Sequence, residues 1–92
     1  MIQRRVFITG KVQGVGFRFA TYVAVQRFPS VRGYVKNLPN GKVEAVFLGS
    51  DEEVSEMIEW SKRGPSSARV DGVEVVSESV DESLSSFSIE RD

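Results

Sequence analysis

The sequence predicts an α+β fold, one antiparallel sheet carrying two helices on one face. Three observations predict it. Segments in which apolar and polar residues alternate surround two segments with apolar residues at helical spacing, in the order strand, helix, strand, strand, helix, strand. A glycine pair breaks the first strand from the first helix, and Pro39-Asn40-Gly41 has the composition of a hairpin turn. The 92 residues suffice for one hydrophobic core and not for a second module, so fold and site are expected together in a single domain over 1–92.

Over 4–12, Val6, Ile8, Gly10 and Val12 alternate with Arg5, Phe7, Thr9 and Lys11, the period of a strand with one buried face. Gly14 and Gly16 stop that strand. Phe17, Ala20, Thr21, Ala24 and Phe28 then recur at helical spacing with Val23 beside them, which predicts a helix over 17–26 ended by Pro29. A second strand is expected over 31–38 and a third over 42–49, the latter with Val43, Ala45 and Phe47 on one side. Ser50 can cap the next helix through its hydroxyl, and Asp51, Glu52 and Glu53 suit the positive end of the helix dipole. Val54, Met57, Ile58 and Trp60 form its apolar side, which ends near Lys62-Arg63-Gly64-Pro65. Residues 70–80 predict a fourth strand, and Phe87 with Ile89 a short last one. The serine-rich, acidic stretch 77–88 reads as an exposed turn.

This order is that of a ferredoxin-like βαββαβ plait with a short fifth edge strand. In that arrangement the first and second strands run parallel with the third between them, because the connecting helix crosses back over the sheet. Their C-terminal ends share one edge. The loop after the first strand is thereby brought near the end of the second, where Asn37 lies.

Thirteen acidic residues against twelve basic ones leave no strong positive field, so no nucleic-acid partner is expected. The sequence has neither cysteine nor histidine, which removes disulfides, thiolate nucleophiles, phosphohistidine chemistry and the usual soft or imidazole metal ligands. Chemistry must use Arg, Lys, Asn, Ser, carboxylates and backbone amides, with no metal and no cofactor. Met1-Ile2-Gln3-Arg4-Arg5 runs straight into strand-like sequence, without an apolar signal core or a spanning segment. A soluble cytoplasmic protein without a membrane partner is expected.

A tight turn between strand and helix presents successive backbone N–H groups in a concave arc, and the helix N-terminus adds partial positive charge there. Such a cradle fits a phosphate. Gly14 and Gly16 allow positive backbone dihedrals and close approach of an anion. Arg18 falls in the first helical turn, from which a planar guanidinium can reach back to two phosphate oxygens. No Gly-Lys-Ser/Thr follows the glycines, so the loop is not a Walker A sequence and a magnesium-dependent triphosphatase is disfavoured. Each feature alone also has a plain structural reading: a G-x-G turn, a solvated arginine, an asparagine closing the turn before Pro39.

Read together, the residues carry more. Ile8-Thr9-Gly10-Lys11-Val12-Gln13-Gly14-Val15-Gly16-Phe17-Arg18 resembles the first acylphosphatase signature. Gly33-Tyr34-Val35-Lys36-Asn37, followed by Gly41, Val43 and Gly49, resembles the second at the family's spacing. Gly64-Pro65 through Ala68 to Val70 is similar to the family's passage from second helix to fourth strand, so the resemblance covers nearly the whole chain. It implies hydrolysis of the carboxyl–phosphate bond of a small-molecule acyl phosphate. Arg18 would bind the phosphate, Asn37 would orient the attacking water, and the amides of Gln13, Gly14, Val15, Gly16, Phe17 and Arg18 would form the cradle. Family loops differ at the position of Gly16, some carrying a bulky residue there. A carboxylate leaving group, whose conjugate acid has a pKa of about 4, needs no proton at neutral pH, so a site without general acid is chemically sufficient.

Three rival readings keep the fold. Gly14-Val15-Gly16-Phe17-Arg18-Phe19 faintly echoes an aromatic RNA-recognition signature, but that signature belongs on a central strand. A non-catalytic plait could hold an anion in the same cradle without turnover. The module also resembles the amino-terminal domain of a large hydrogenase-maturation carbamoyltransferase, against which the length and the lack of zinc-finger cysteines weigh. A monomer is expected, because Glu90, Arg91 and Asp92 place charge beside the exposed fifth strand.

Overall fold

The alternating segments and helical faces fold as the periodicity predicts in a computed structural model, which describes residues 1–91. Asp92, expected to add charge beside the last strand, lies outside the described residues. The elements are β1 (Ile2–Lys11), α1 (Phe17–Val25), β2 (Arg32–Asn37), β3 (Val43–Gly49), α2 (Asp51–Arg63), β4 (Arg69–Glu78) and β5 (Phe87–Ile89). Strand order across the sheet is β4-β1-β3-β2-β5.

β1 pairs antiparallel with β3 and β4, and β2 pairs antiparallel with β3. β1 and β2 therefore run parallel on either side of β3. Val43 stands opposite Ile8 on one side and opposite Asn37 on the other. Asn37 is thus level with Ile8, three residues before β1 ends and two strand spacings away, or roughly 10 Å. β5 differs from its neighbours by pairing parallel with β2, which makes the sheet mixed. The reason is topological. β4 ends beside the start of β1, with Glu78 opposite Gln3, so the chain crosses the sheet at that end and enters β5 in the direction of β2. The crossing is held by Asp81 N–H to Gln3 Oε1 (2.7 Å), Arg32 Nη1 to the Leu84 carbonyl (3.0 Å) and Gly33 N–H to the Ser86 carbonyl (3.0 Å).

One face of the sheet supplies Val6, Ile8, Val35, Val43, Ala45 and Phe47 to a core closed by Phe17 and Val25 of α1 and by Val54 and Met57 of α2. On α1 the buried positions are Phe17, Thr21 and Val25, while Val23 faces solvent. α2 begins as its sequence requires: Glu53 N–H donates to Ser50 Oγ at 3.1 Å and the Ser50 hydroxyl donates to Glu53 Oε1 at 3.0 Å, a reciprocal cap. It ends at Gly64, whose φ of 66° is left-handed and whose N–H donates to the Trp60 carbonyl at 2.8 Å.

β3 is buried along its whole length, not on one side only. The face away from the helices is covered by long polar side chains of the flanking strands. Arg5 donates to Glu44, to Tyr34 Oη (2.8 Å) and to Glu78 (3.0 Å), and Lys36 approaches Glu44 at 3.5 Å. Val46 and Leu48, which alternate along β3 with the core residues Val43, Ala45 and Phe47, are fully buried on this face. No helix among the described residues is long and apolar enough to cross a membrane.

Candidate active site

The loop between β1 and α1 is shaped by two left-handed residues, Gly14 (φ 74°) and Gly16 (φ 76°), the second forming the N-cap of α1. A Cβ built on either glycine meets nothing within 4 Å. Their requirement is therefore conformational, and the space beside them is open. The amides of Gln13 to Phe17 find no acceptor among the described residues, and the first-turn amides of α1 have none by helix geometry. These amides lie at the positive end of a helix.

Two side-chain contacts hold this loop in place. Gln13 Nε2 donates to the carbonyls of Leu38 (2.7 Å) and Lys42 (2.9 Å), tying it to the hairpin after β2. On the other flank Ser67 Oγ donates to the Val15 carbonyl at 2.7 Å. Behind the loop, the ring of Phe17 packs edge-on against Trp60, with centroids 5.6 Å apart. Loop position is thereby referred to both the hairpin and α2.

A cavity of about 220 Å³ opens over the loop, lined by Gly14, Gly16, Phe17, Arg18 and Asn37 together with Val12, Phe19, Ile89 and Arg91. Five of the residues singled out from sequence thus share one concave space. Gln13 and Val15 do not line it: the side chain of Gln13 is committed to the hairpin, and Val15 packs against the core. Asn37 closes β2 and its carboxamide makes no hydrogen bond to a described residue. Arg18 Nη1 donates to the Glu90 carbonyl at 3.3 Å, and Glu90 N–H donates to the Val35 carbonyl at 2.9 Å. The backbone of one residue, Glu90, therefore links the guanidinium to the strand that carries Asn37.

Sequence reasoning did not find Arg91, Ile89 and Phe19 on the cavity wall, nor the anchoring roles of Gln13, Ser67 and Glu90. For Phe19 a signal existed, a large apolar residue directly after Arg18. The others depend on long-range proximity that no local pattern carries. Among the described residues no group of three or more His, Cys, Asp or Glu side chains is placed to hold a metal ion, and the cavity wall carries no carboxylate. The arrangement can bind a tetrahedral anion through backbone donors and a guanidinium, with a carboxamide beside it. The segment from Gly14 to Phe19 is a turn entering a helix, not the central strand an RNA-recognition signature occupies.

The family model described as Acylphosphatase matches residues 4–89. A protein of Syntrophus aciditrophicus named acylphosphatase is 48% identical over 84 residues, which cover 91% of this chain and 86% of that protein. The crystal structure of acylphosphatase from Bacillus subtilis superposes with a TM-score of 0.90 at 31% identity, covering 98% of this chain and 99% of that one. A crystal structure of full-length HypF in a phosphate- and nucleotide-bound form matches with a TM-score of 0.84 at 26% identity, over 99% of this chain and 12% of that one.

Proposed function

The chain belongs to the acylphosphatase family and is an enzyme of that class, and from this premise we propose how its own residues hydrolyse an acyl phosphate. A single domain over 1–92 does the work. The amides of Gln13, Gly14, Val15, Gly16, Phe17 and Arg18, with the Arg18 guanidinium, hold the phosphoryl oxygens. Asn37 holds a water in line with the bond to be broken.

The water oxygen bonds to phosphorus as the phosphorus–acyl oxygen bond breaks, and that bond's electron pair leaves on the carboxylate. The water's proton passes to a phosphate oxygen. The carboxylate leaves without a proton, since its conjugate acid has a pKa of about 4. Fixed donors then need only stabilise charge on the equatorial oxygens and hold the reactants in line, which is most of what phosphoryl transfer requires. The observation that carries this reading is the sharing of one cavity by Gly14, Gly16, Phe17, Arg18 and Asn37.

The test is hydrolysis of acetyl phosphate measured beside p-nitrophenyl phosphate, with inorganic phosphate as competitor and EDTA in a parallel series. The reading expects turnover of the first only, competitive inhibition by phosphate, and rates unaffected by chelator. Equal turnover of the monoester, or chelator-sensitive turnover restored by magnesium, overturns it.

A further inference from the structure

The residue after Arg18 points away from the core. Phe19 is 66% exposed, and Val23, one turn further along α1, is 52% exposed. Both are large apolar side chains on the solvent side of a helix whose other side is already buried through Phe17, Thr21 and Val25. With Trp60 and Pro65 they line an open groove of about 560 Å³. Its one charged wall residue, Arg27, lies over the ring of Phe28 at 5.2 Å.

The groove and the cavity above the glycine loop have a wall in common, because Phe19 lines both. They are also joined from beneath, where Trp60 of the groove packs against Phe17 of the loop. A substrate held by its phosphoryl group must extend its acyl part out of the cradle. Across Phe19 the acyl part meets an apolar surface whose burial is favourable only for an apolar group.

We propose that this groove is the acyl subsite, and that the enzyme prefers acyl phosphates with an extended aliphatic or aromatic acyl group over acetyl phosphate and over acyl groups that end in a charge. The proposal rests on the phosphoryl end being held at the glycine loop. Phe19 acts as the specificity determinant nearest the reacting bond, and Val23 meets only the longer chains.

The experiment compares kcat/KM of the full chain for acetyl, butyryl, hexanoyl and succinyl phosphates in wild type, Phe19→Ser and Val23→Ser. Each methylene buried in the groove should raise kcat/KM by roughly two- to fourfold, so hexanoyl phosphate should exceed acetyl phosphate at least tenfold. Phe19→Ser should flatten the whole series, bringing hexanoyl phosphate to within about twofold of acetyl phosphate in the same variant. Val23→Ser should lower hexanoyl phosphate alone. Both side chains are exposed, so neither change threatens folding. A flat series with fast turnover overturns the acyl subsite while leaving the cradle standing. Preference for succinyl over butyryl phosphate also overturns it and moves the determinant to Arg91, which lines the loop cavity. No turnover of any acyl phosphate overturns cradle and subsite together.

Discussion

Gln13 and Leu38 are joined by a side-chain amide donating to a main-chain carbonyl at 2.7 Å, and the same amide reaches Lys42 at 2.9 Å. Leu38 directly follows Asn37, so the loop proposed to hold phosphate is fixed to the end of the strand proposed to hold water. Neither residue is close to the other in sequence, and the contact sets the relative position of the two halves of the site.

Gln13→Leu should therefore act on catalysis more than on binding. Loss of two partly buried hydrogen bonds should cost about 1–2 kcal/mol of stability. Displacement of the loop relative to Asn37 should lower kcat about tenfold or more. Inhibition by inorganic phosphate, which needs only the loop and Arg18, should weaken far less. Denaturant unfolding, kcat and the phosphate inhibition constant measure the three effects. Equal losses in kcat and phosphate affinity would mean that Gln13 shapes the cradle itself and not its position.

Arg18 and Asn37 should separate binding from chemistry. Arg18→Ala removes a charged pair of donors from the phosphoryl group, so phosphate inhibition and turnover should both fall by at least about a hundredfold. Arg18→Lys should recover little, because an ammonium cannot reproduce the planar fork. Asn37→Ala should leave phosphate inhibition within about threefold and lower kcat by at least about a hundredfold. Wild-type turnover in Asn37→Ala sinks the water-holding role.

What local sequence made legible was the element order, the capping of α2 by Ser50 and the meeting of Arg18 with Asn37. The first follows from periodicity, the second from a hydroxyl at the helix start, and the third from handed connection. On α1 the sequence places Phe17, Ala20, Thr21, Ala24 and Phe28 on the apolar side with Val23 beside them; the structure adds Val25, which continues the Phe17 and Thr21 stripe by four-residue steps, and leaves Val23 in solvent. On β3 the sequence places Val43, Ala45 and Phe47 on one side, as the core shows, but the cover of the other side depends on neighbours that no short window names. Only once β1 and β2 flank it do Arg5 and Tyr34 cover its second face. The contacts of Gln13, Ser67 and Glu90 were illegible for the same reason: each joins residues at least twenty-five positions apart.

Gly16 and Gly64 should respond differently to alanine although both have positive φ. At Gly16 (φ 76°) an added Cβ meets no atom within 4 Å, so the cost is the left-handed backbone alone, about 1–2 kcal/mol. At Gly64 (φ 66°) it would lie 2.6 Å from Phe17 Cε2, adding a clash with the ring behind the loop. Gly64→Ala should be the more destabilising in thermal unfolding. It should also lower kcat, since Phe17 lines the cavity and its amide is proposed to hold phosphate, although Gly64 is outside the cavity wall.

Arg5→Leu should separate stability from activity. Glu44 is only 6% exposed and would keep Lys36 as its ion-pair partner at 3.5 Å. An under-compensated buried carboxylate costs about 2–4 kcal/mol, discounted here toward the lower end because Arg5 is partly exposed. The network lies on the sheet face away from the helices, so kcat per folded molecule should stay within about twofold. Arg5→Leu with Glu44→Leu should recover most of the lost stability, because the buried charge is then gone. A double variant no more stable than the single one would show that the cost lies in lost packing of the arginine stem.

Asp81 predicts the acid side of the stability profile. Its carboxylate accepts from the Ser83 hydroxyl at 2.6 Å and from the Ser83 N–H at 2.9 Å, and these donors, the hydroxyl first, hold its pKa below the ordinary 3.8. A carboxyl with a depressed pKa in the folded chain binds its proton more readily when unfolded. Its stabilising contribution is complete above the ordinary value and is lost as pH falls through the lower folded value. The same residue's N–H is bonded to Gln3 Oε1, so the effect reaches the crossing segment and the start of β1. Asp81→Asn should melt slightly below wild type at pH 6, with the difference shrinking as pH falls below about 4. Thermal melts of the two proteins across pH 2–7 test this: a difference that persists unchanged to the acid limit would assign the effect to hydrogen-bond geometry and not to the charge.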